Sequence, residues 1–162
     1  MQKQTLKKIG HKLLIGRHEW CALPGLKIPL IKGKIDTGAL TSAIHAFNIK
    51  PIKKNKVKYV SFDVYPLQAN TDIIVHCQSR VIDERYIMSS NGHQEKRYII
   101  QTALRLGTKK WLIEVSLSNR DPLKYRLLLG RQALRKKVLI DPDHGSYQKV
   151  IVKKSKILAY YQ

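Results

Sequence analysis

One aspartate in the chain has the surroundings that carboxylate chemistry needs. In Ile35-Asp36-Thr37-Gly38-Ala39, apolar residues lead up to Asp36, and a small hydroxyl residue and a glycine follow it. A catalytic carboxylate at a sharp turn needs a strand to fix its position. It also needs a glycine where a second backbone approaches closely. Thr37 can hydrogen-bond within the turn or across a dimer. Asp36, Thr37 and Gly38 are therefore the candidate catalytic residues. Three residues alone are a weak signal, and an Asx-type turn is the plain alternative. A second signal lies far downstream, in Arg126-Leu127-Leu128-Leu129-Gly130-Arg131, where an apolar run ends at a glycine and a helix start follows. The two signals in this order, within one small chain, are far more specific than either alone.

Other chemistries find less support in the residues. His18-Glu19-Trp20-Cys21-Ala22 lacks the second histidine of His-Glu-x-x-His, so it does not set two histidines on one helix face. His18, Glu19 and Cys21, with His76 or Cys77, form no recognisable tetrahedral spacing, and no metal is assigned. Gly33 to Gly38 is followed by Ala39-Leu40, so the lysine of a phosphate-binding loop is missing. No Gly-x-Ser-x-Gly is present, and the Cys and His residues form no known nucleophile signature. No cofactor is expected.

The elements that must position Asp36 read as short strands. Lys27–Asp36, Lys58–Tyr65, Ile73–Ile82, Arg97–Leu106, Trp111–Leu117, Tyr125–Leu129 and Val138–Ile140 carry β-forming or apolar residues, and Trp111, Ile113, Val115 and Leu117 share one face. Leu106 to Lys109 predicts a turn, and Ser89-Ser90-Asn91-Gly92 a polar turn. The one helix expected runs from Arg131 to Lys136. Many short strands with one short helix predict an all-β barrel or sandwich. The 162 residues suit one domain over 1–162, with a basic segment 1–12 expected to be flexible.

Charge is the extreme property. There are 31 Lys+Arg against 11 Asp+Glu, a net charge of +20, and such a field attracts polyanions. Basic clusters lie at Lys50–Lys58, Lys109–Lys110, Arg131–Lys137 and Lys153–Lys156; each taken singly reads as a solvated face. The aromatic residues, 7% of the chain, do not interleave with these clusters along the sequence as a stacking platform would. Cys21 and Cys77 read as reduced, buried thiols. The N-terminal apolar stretch Leu13-Leu14-Ile15 is too short for the core of a signal peptide, and no run reaches the ~18 residues that span a bilayer. The expectation is a soluble, cytoplasmic protein with no membrane association.

Taken together, the motifs resemble a known group. Asp-Thr-Gly-Ala followed by apolar-apolar-Gly-Arg is similar to the retropepsins, the single-domain aspartic peptidases. Five longer stretches resemble a bacterial retropepsin-like group that carries the label "ATP-dependent zinc protease". They are Ile15 to Cys21, Lys34 to Ala39 with Thr41-Ser42-Ala43, Ser89 to Gly92, Leu117 to Arg120, and Leu128 to Arg131. The resemblance covers roughly Leu14 to Pro142, and the group's genes often lie beside ATP-grasp glutamate ligases. It implies a closed acid-protease β-barrel with one short helix after Leu-Leu-Gly-Arg, and an aspartic-type endopeptidase. It also implies a flap that excludes water, with its tip near Ser89, Ser90, Asn91 and Gly92. Ala39, Leu129, Gly130 and Arg131 complete the expected substrate-binding set. The residues favour this aspartic reading over the zinc and ATP of the label.

Two carboxylates sharing one proton activate water in such enzymes, because two like charges a few Å apart do not both ionise. This chain holds one Asp-Thr/Ser-Gly and so offers half a site, which a twofold homodimer would complete. The charge and the ligase link together imply an acidic, glutamate-rich peptide substrate. Two alternatives of another class stand beside this reading: a basic binding module for RNA or the ribosome, and a non-catalytic scaffold for a glutamate ligase.

Overall fold

A computed structural model describes residues 10–89, 91–119, 124–148 and 156–162. Ser90, Arg120, most of the basic N-terminal segment and Lys153–Ser155 lie outside them. Eleven strands run through the described residues. They are β1 (Leu13–Ile15), β2 (His18–Leu23), β3 (Ile28–Ile35), β4 (Ser42–His45), β5 (Phe47–Lys54), β6 (Val57–Val64), β7 (Val75–Met88), β8 (Gln94–Leu106), β9 (Lys109–Ser118), β10 (Leu127–Leu129) and β11 (Val138–Ile140). One four-residue α-helix, α1 (Arg131–Leu134), follows Gly130, and 3-10 turns occur at Pro24–Leu26 and Leu158–Tyr161. The protein is thus mostly β, with the expected helix shorter than Arg131–Lys136. None of the described helices is long and apolar enough to cross a membrane.

Nine strands share one sheet in the order β2-β3-β10-β4-β9-β8-β7-β6-β5. β2 also pairs with β8 through Cys21↔Leu106 and Ala22↔Arg105, so the order returns to β2 after six strands. That circuit is compatible with the closed barrel the resemblance implies. The 13-residue β8 makes it feasible, because its first half pairs with β7 and its end with β2. β7, β6 and β5 then extend from the circuit as an antiparallel arm. Inside lie Leu23, Ile28, Ile31, Ile44, Phe62, Ile100, Leu104, Ile113, Val115, Leu127 and Leu129, all at most 2% exposed. Each such side chain contributes about 1.5–3 kcal/mol on burial.

The structure corrects two strand boundaries. β7 extends six residues past Ile82 and β8 begins three before Arg97, giving a longer hairpin than the local pattern suggests. Asp83 to Arg85 and Gln94 to Lys96 are polar, and the apolar Tyr86 and Met88 are exposed, so hydrophobic periodicity does not reveal the extension; ion pairs such as Arg85–Glu114 hold it. The Lys50–Lys58 cluster is also a hairpin. Asn55 and Lys56 both take positive φ (50° and 65°), the two-residue turn that matches strand twist.

A buried carboxylate clasps the chain's two ends. Glu19 is 0% exposed. Its Oε1 accepts from the Gly16 and Tyr147 amides (2.9 and 2.7 Å), and its Oε2 from the Ser146 hydroxyl and the Gln148 amide (2.6 and 3.1 Å). The Arg17 and His18 amides donate to the carbonyls of His144 and Gly145 at 2.9 and 3.0 Å. A Cβ on Gly16 would lie 2.6 Å from both carbonyl oxygens, so only glycine fits there. Beside the clasp, β1 pairs in parallel with β11. Glu19→Gln would turn an amide group against backbone donors and leave at least one without an acceptor. The expected outcome is a loss of about 2–4 kcal/mol, seen in thermal denaturation as a fall in Tm of roughly 5–15 °C; an unchanged melt would remove Glu19 from this role.

Candidate active site

Asp36 leaves the end of β3 into a turn. Its amide donates to the Leu129 carbonyl at 2.9 Å, and its Oδ1 accepts from the Gly38 amide at 3.0 Å. The carboxylate is therefore oriented from below by β10 and from the side by its own turn. The Asx-type bond and the approach of Leu129 both occur, so the two readings of this motif are not exclusive. Ile35 is braced in turn by its amide bond to the Arg17 carbonyl at 2.9 Å, next to the Glu19 clasp.

β10 is wedged between β3, in parallel register (Leu129↔Ile35), and β4, antiparallel (Leu128↔Ala43). The close fit of the two loops rests on Gly130. A Cβ there would meet the Leu40 carbonyl oxygen at 2.8 Å, the Thr41 carbonyl carbon at 2.9 Å and the Ala39 carbonyl oxygen at 3.0 Å, all backbone. The Gly130 amide donates to the Ser42 hydroxyl at 3.0 Å, while the Arg131 and Gln132 amides donate to Ala39 and Leu40 carbonyls at 2.9 Å each. The Arg131 guanidinium donates to the Thr37 carbonyl at 2.8 Å. Asp36, Thr37, Gly38, Ala39, Leu129, Gly130 and Arg131 thus form one knot. At Gly38, by contrast, an added Cβ meets only the Asp36 carboxylate, at 3.2 Å, within the chain. Among the described residues no backbone crowds it.

A cleft of about 440 Å³ opens over this knot. Asp36 and Ala39 line one side, and Ile87, Met88 and Ser89 at the end of the β7–β8 hairpin line the other. Ser89 sits in a turn closed by its amide to the His93 carbonyl (2.8 Å) and by the Gly92 amide to the Ser89 carbonyl (3.0 Å), with Gly92 at φ 81°. Asn91 and Gly92 belong to the same turn but do not line the cleft; nor do Thr37, Gly38, Leu129, Gly130 and Arg131, which shape it from behind. Ser90 lies outside the described residues.

Sequence reasoning passed over most of the wall. Lys34, Arg97, Lys124 and Arg126 line the cleft with His45 and Tyr125, and Asp36 is the sole carboxylate among the described lining residues. The side chain of Arg97 is 7% exposed and paired with Glu95 at 3.0 Å, so a cation is fixed beneath the hairpin. Lys34 and Arg126 sit inside the quoted motifs, where their alternation with buried neighbours could have marked them. Arg97 needed the hairpin register.

The metal alternative fails on geometry. His18 points to the opposite strand face from Glu19 and Cys21. Both Glu19 oxygens are taken, and burial, with Glu19 nearby, pushes the Cys21 thiol up to about 12. Burial likewise pushes Cys77 up to about 12. Among the described residues no three His, Cys, Asp or Glu side chains gather as a metal site.

The RimB-like family model, described as "Retropepsin-like aspartic endopeptidase RimB", matches residues 14–150. Curated relatives include a "Probable alpha-L-glutamate ligase" from Shewanella pealeana, 49% identical over 135 residues, which are 83% of this chain and 30% of that protein. A protein of the same name from Parasynechococcus marenigrum is 42% identical over 150 residues, 93% of this chain and 32% of that protein. The chain thus spans about a third of the length of the curated relatives it matches. A crystal structure of a Legionella pneumophila protein of unknown function aligns with TM-score 0.72 and 28% identity, covering 85% of this chain and 98% of that one.

The wedge makes two glycines separable. Gly130→Ala pushes a methyl into three backbone atoms and is expected to cost about 1–3 kcal/mol, with faster hydrogen exchange at the Asp36 amide as β10 withdraws. Gly92→Ala meets open space and should cost only about 1 kcal/mol through its left-handed backbone, leaving that amide unchanged. Equal effects on Asp36 exchange would contradict the wedge.

Proposed function

The chain belongs to the RimB-like family of retropepsin-like aspartic endopeptidases, and on that premise we propose that it hydrolyses peptide bonds with Asp36 as one of two carboxylates in a homodimer. The observation that carries this reading is the position of Asp36, held by the Leu129 carbonyl and opening into a cleft roofed by the β7–β8 hairpin. Asp36 from each subunit would share a proton at the twofold axis; one carboxylate takes a proton from water while the other donates to the substrate carbonyl. Thr37, Gly38 and Leu40 are exposed around Asp36, Leu40 at 51%, and the Gly38 face is uncrowded within the chain. Those features suit burial against a second copy. Ser89, Ser90, Asn91 and Gly92 form the flap tip in this reading.

The substrate we propose is an acidic peptide, such as a glutamate-rich tail. Lys34, Arg97, Lys124 and Arg126 line the cleft with Asp36, the one carboxylate among its described lining residues, and a positive cleft concentrates anionic chains. Relatives named probable alpha-L-glutamate ligases support a setting in which glutamate is ligated. The same names favour a second reading, a non-catalytic partner of a ligase, in which the cleft binds acidic tails without cutting them. The wider partnership with an ATP-grasp ligase, a location in the cytoplasm and the unity of 1–162 as one domain belong to the proposal as well.

Asp36→Asn should abolish cleavage of a glutamate-tailed peptide while leaving the melting curve and the sedimenting species unchanged, because an amide is no general base. Activity retained in that variant would exclude Asp36, and acid-peptide binding without cleavage in the wild type would select the second reading. Glutamate-tailed peptide should be cleaved at least about tenfold faster than a neutral one at low salt, with the advantage shrinking as salt shortens screening to about 8 Å at physiological strength. Arg126→Glu should erase that advantage. Equal kcat/KM on both peptides at every salt concentration would leave the cleft charge without this purpose.

A further inference from the structure

The arm formed by β5, β6 and β7 carries a second basic surface, away from the cleft. No residue between His45 and Ile87 lines the cleft. Strand pairing sets Lys50 opposite Ser61 and Ser61 opposite Gln78; it sets Ile52 opposite Tyr59 and Tyr59 opposite Arg80. Side chains alternate across a strand, so Lys50, Lys54, Tyr59, Ser61, Gln78 and Arg80 share one face, while Val60, Phe62 and Cys77 fill the core on the other. This corrects the sequence expectation: an aromatic ring does interleave with the cations, but across strands rather than along one.

The chemistry of this face is selective. On this face Lys50, Lys54 and Arg80, with His76, stand against Asp63, while Lys53 and Lys58 lie on the other face and Lys56 in the turn. The Asp63 carboxylate is already engaged by the Asn48 amide at 2.9 Å and by His76 at 2.6 Å. Lys58 is paired to Glu84 on the opposite face, but Lys50 and Arg80 make no ion pair among the described residues. The Lys54 ammonium lies 5.5 Å from the centroid of the Tyr59 ring and donates to Gln78 Oε1 at 2.9 Å. The face thus combines cations that outnumber its one carboxylate, Asp63, which Lys50 helps to hold ionised, with a half-buried phenol ring, and an amide and a hydroxyl that give and accept hydrogen bonds. Edge lysines alone keep sheets from joining, and Lys53 and Lys56 at the turn serve that end. That purpose does not call for Tyr59, Gln78 and Arg80 across the next two strands.

We propose that the outer face of β5–β6–β7 binds single-stranded nucleic acid. Lys50, Lys54 and Arg80 meet phosphates, Tyr59 stacks on a base as Lys54 swings to the backbone, and Gln78 and Ser61 reach base edges. An acidic peptide would use the cations and the amide but would not stack on the ring, so Tyr59 makes the face fit bases better than carboxylates. The surface is independent of the cleft, and loss of peptidase activity does not affect it.

The test is fluorescence anisotropy of the full chain with a labelled single-stranded oligouridylate of about 12 nucleotides, across a salt series, with circular dichroism to verify folding of each variant. The wild type should bind with affinity that falls as salt rises. The triple variant Lys50→Glu/Lys54→Glu/Arg80→Glu should weaken binding more than tenfold and reduce the slope of log affinity against log salt by about 2, from three lost phosphate contacts. Tyr59→Leu should weaken it about fivefold or more with the slope unchanged; if that variant melts early, the charge variant decides. Lys53→Glu/Lys56→Glu should change affinity less than threefold. The proposal is overturned if the triple variant binds like the wild type, if the Lys53/Lys56 pair loses as much, or if a duplex of the same length or a polyglutamate peptide binds the same face as tightly.

Discussion

The candidate site depends on a strand of three residues forced between two others. Leu127–Leu129 pairs with β3 on one side and β4 on the other, and the Leu129 carbonyl receives the Asp36 amide. A wedge this short has few ladder bonds, so its ends must be secured by other means. Gly130 supplies one, because its missing Cβ lets the Ala39–Thr41 backbone come within about van der Waals contact. Buried Ser42 supplies another, accepting from the Gly130 amide while its own carbonyl accepts from the Ser116 hydroxyl at 3.1 Å. The helix after Gly130 then anchors to β9, where the Trp111 indole donates to the Ala133 carbonyl at 2.9 Å. The residues nearest Asp36 are thus tied into the sheet by hydrogen bonds, of which those through Ser42 are buried.

A second tie reaches the same strand from the opposite side. The Glu19 clasp joins residues 16–19 to 144–148, and Arg17 within it accepts the Ile35 amide. A buried carboxylate is costly when unpaired and secure when every lone pair is met. Here three donors from distant sequence and one from Gly16 meet it, so the clasp closes only when residues 16–19 and 144–148 have come together. That places a long-range condition on the residue just before Asp36. It also explains why the His18-Glu19-Trp20-Cys21 run resembles a metal motif yet serves packing.

The net charge of +20 is not a uniform coat. Part of it converges on the cleft around a lone carboxylate, and part lies on the outer face of the arm. The remainder meets acids locally, as in Lys58 and Lys96 with Glu84, and Arg85 with Asp83 and Glu114. Two separate positive surfaces give a chain of this size two distinct places for anions. They differ in their neighbours, the Asp36 carboxylate in one case and an aromatic ring with an amide in the other.

Local sequence was enough for several features. Ile35-Asp36-Thr37-Gly38 marks a carboxylate at a strand end, Leu129-Gly130-Arg131 a strand giving way to a helix, and alternation in Trp111–Leu117 a half-buried strand. These are legible because each depends on neighbours a few residues away: turn chemistry, side-chain period and helix start. The mostly β character follows from their number. The length of the β7–β8 hairpin, the place of Arg97 under it and the partners of Glu19 were not legible, since polar residues carry no period and donors more than 120 positions away carry no local mark. Tyr59 beside Arg80 is the same case, a neighbour made by strand register alone. Sequence by itself therefore determined which residues had the means to do chemistry, because bonding capacity and backbone freedom belong to residue type. Only the tertiary structure decided which of them share a cleft or a face, because pairing register and burial are properties of the whole sheet.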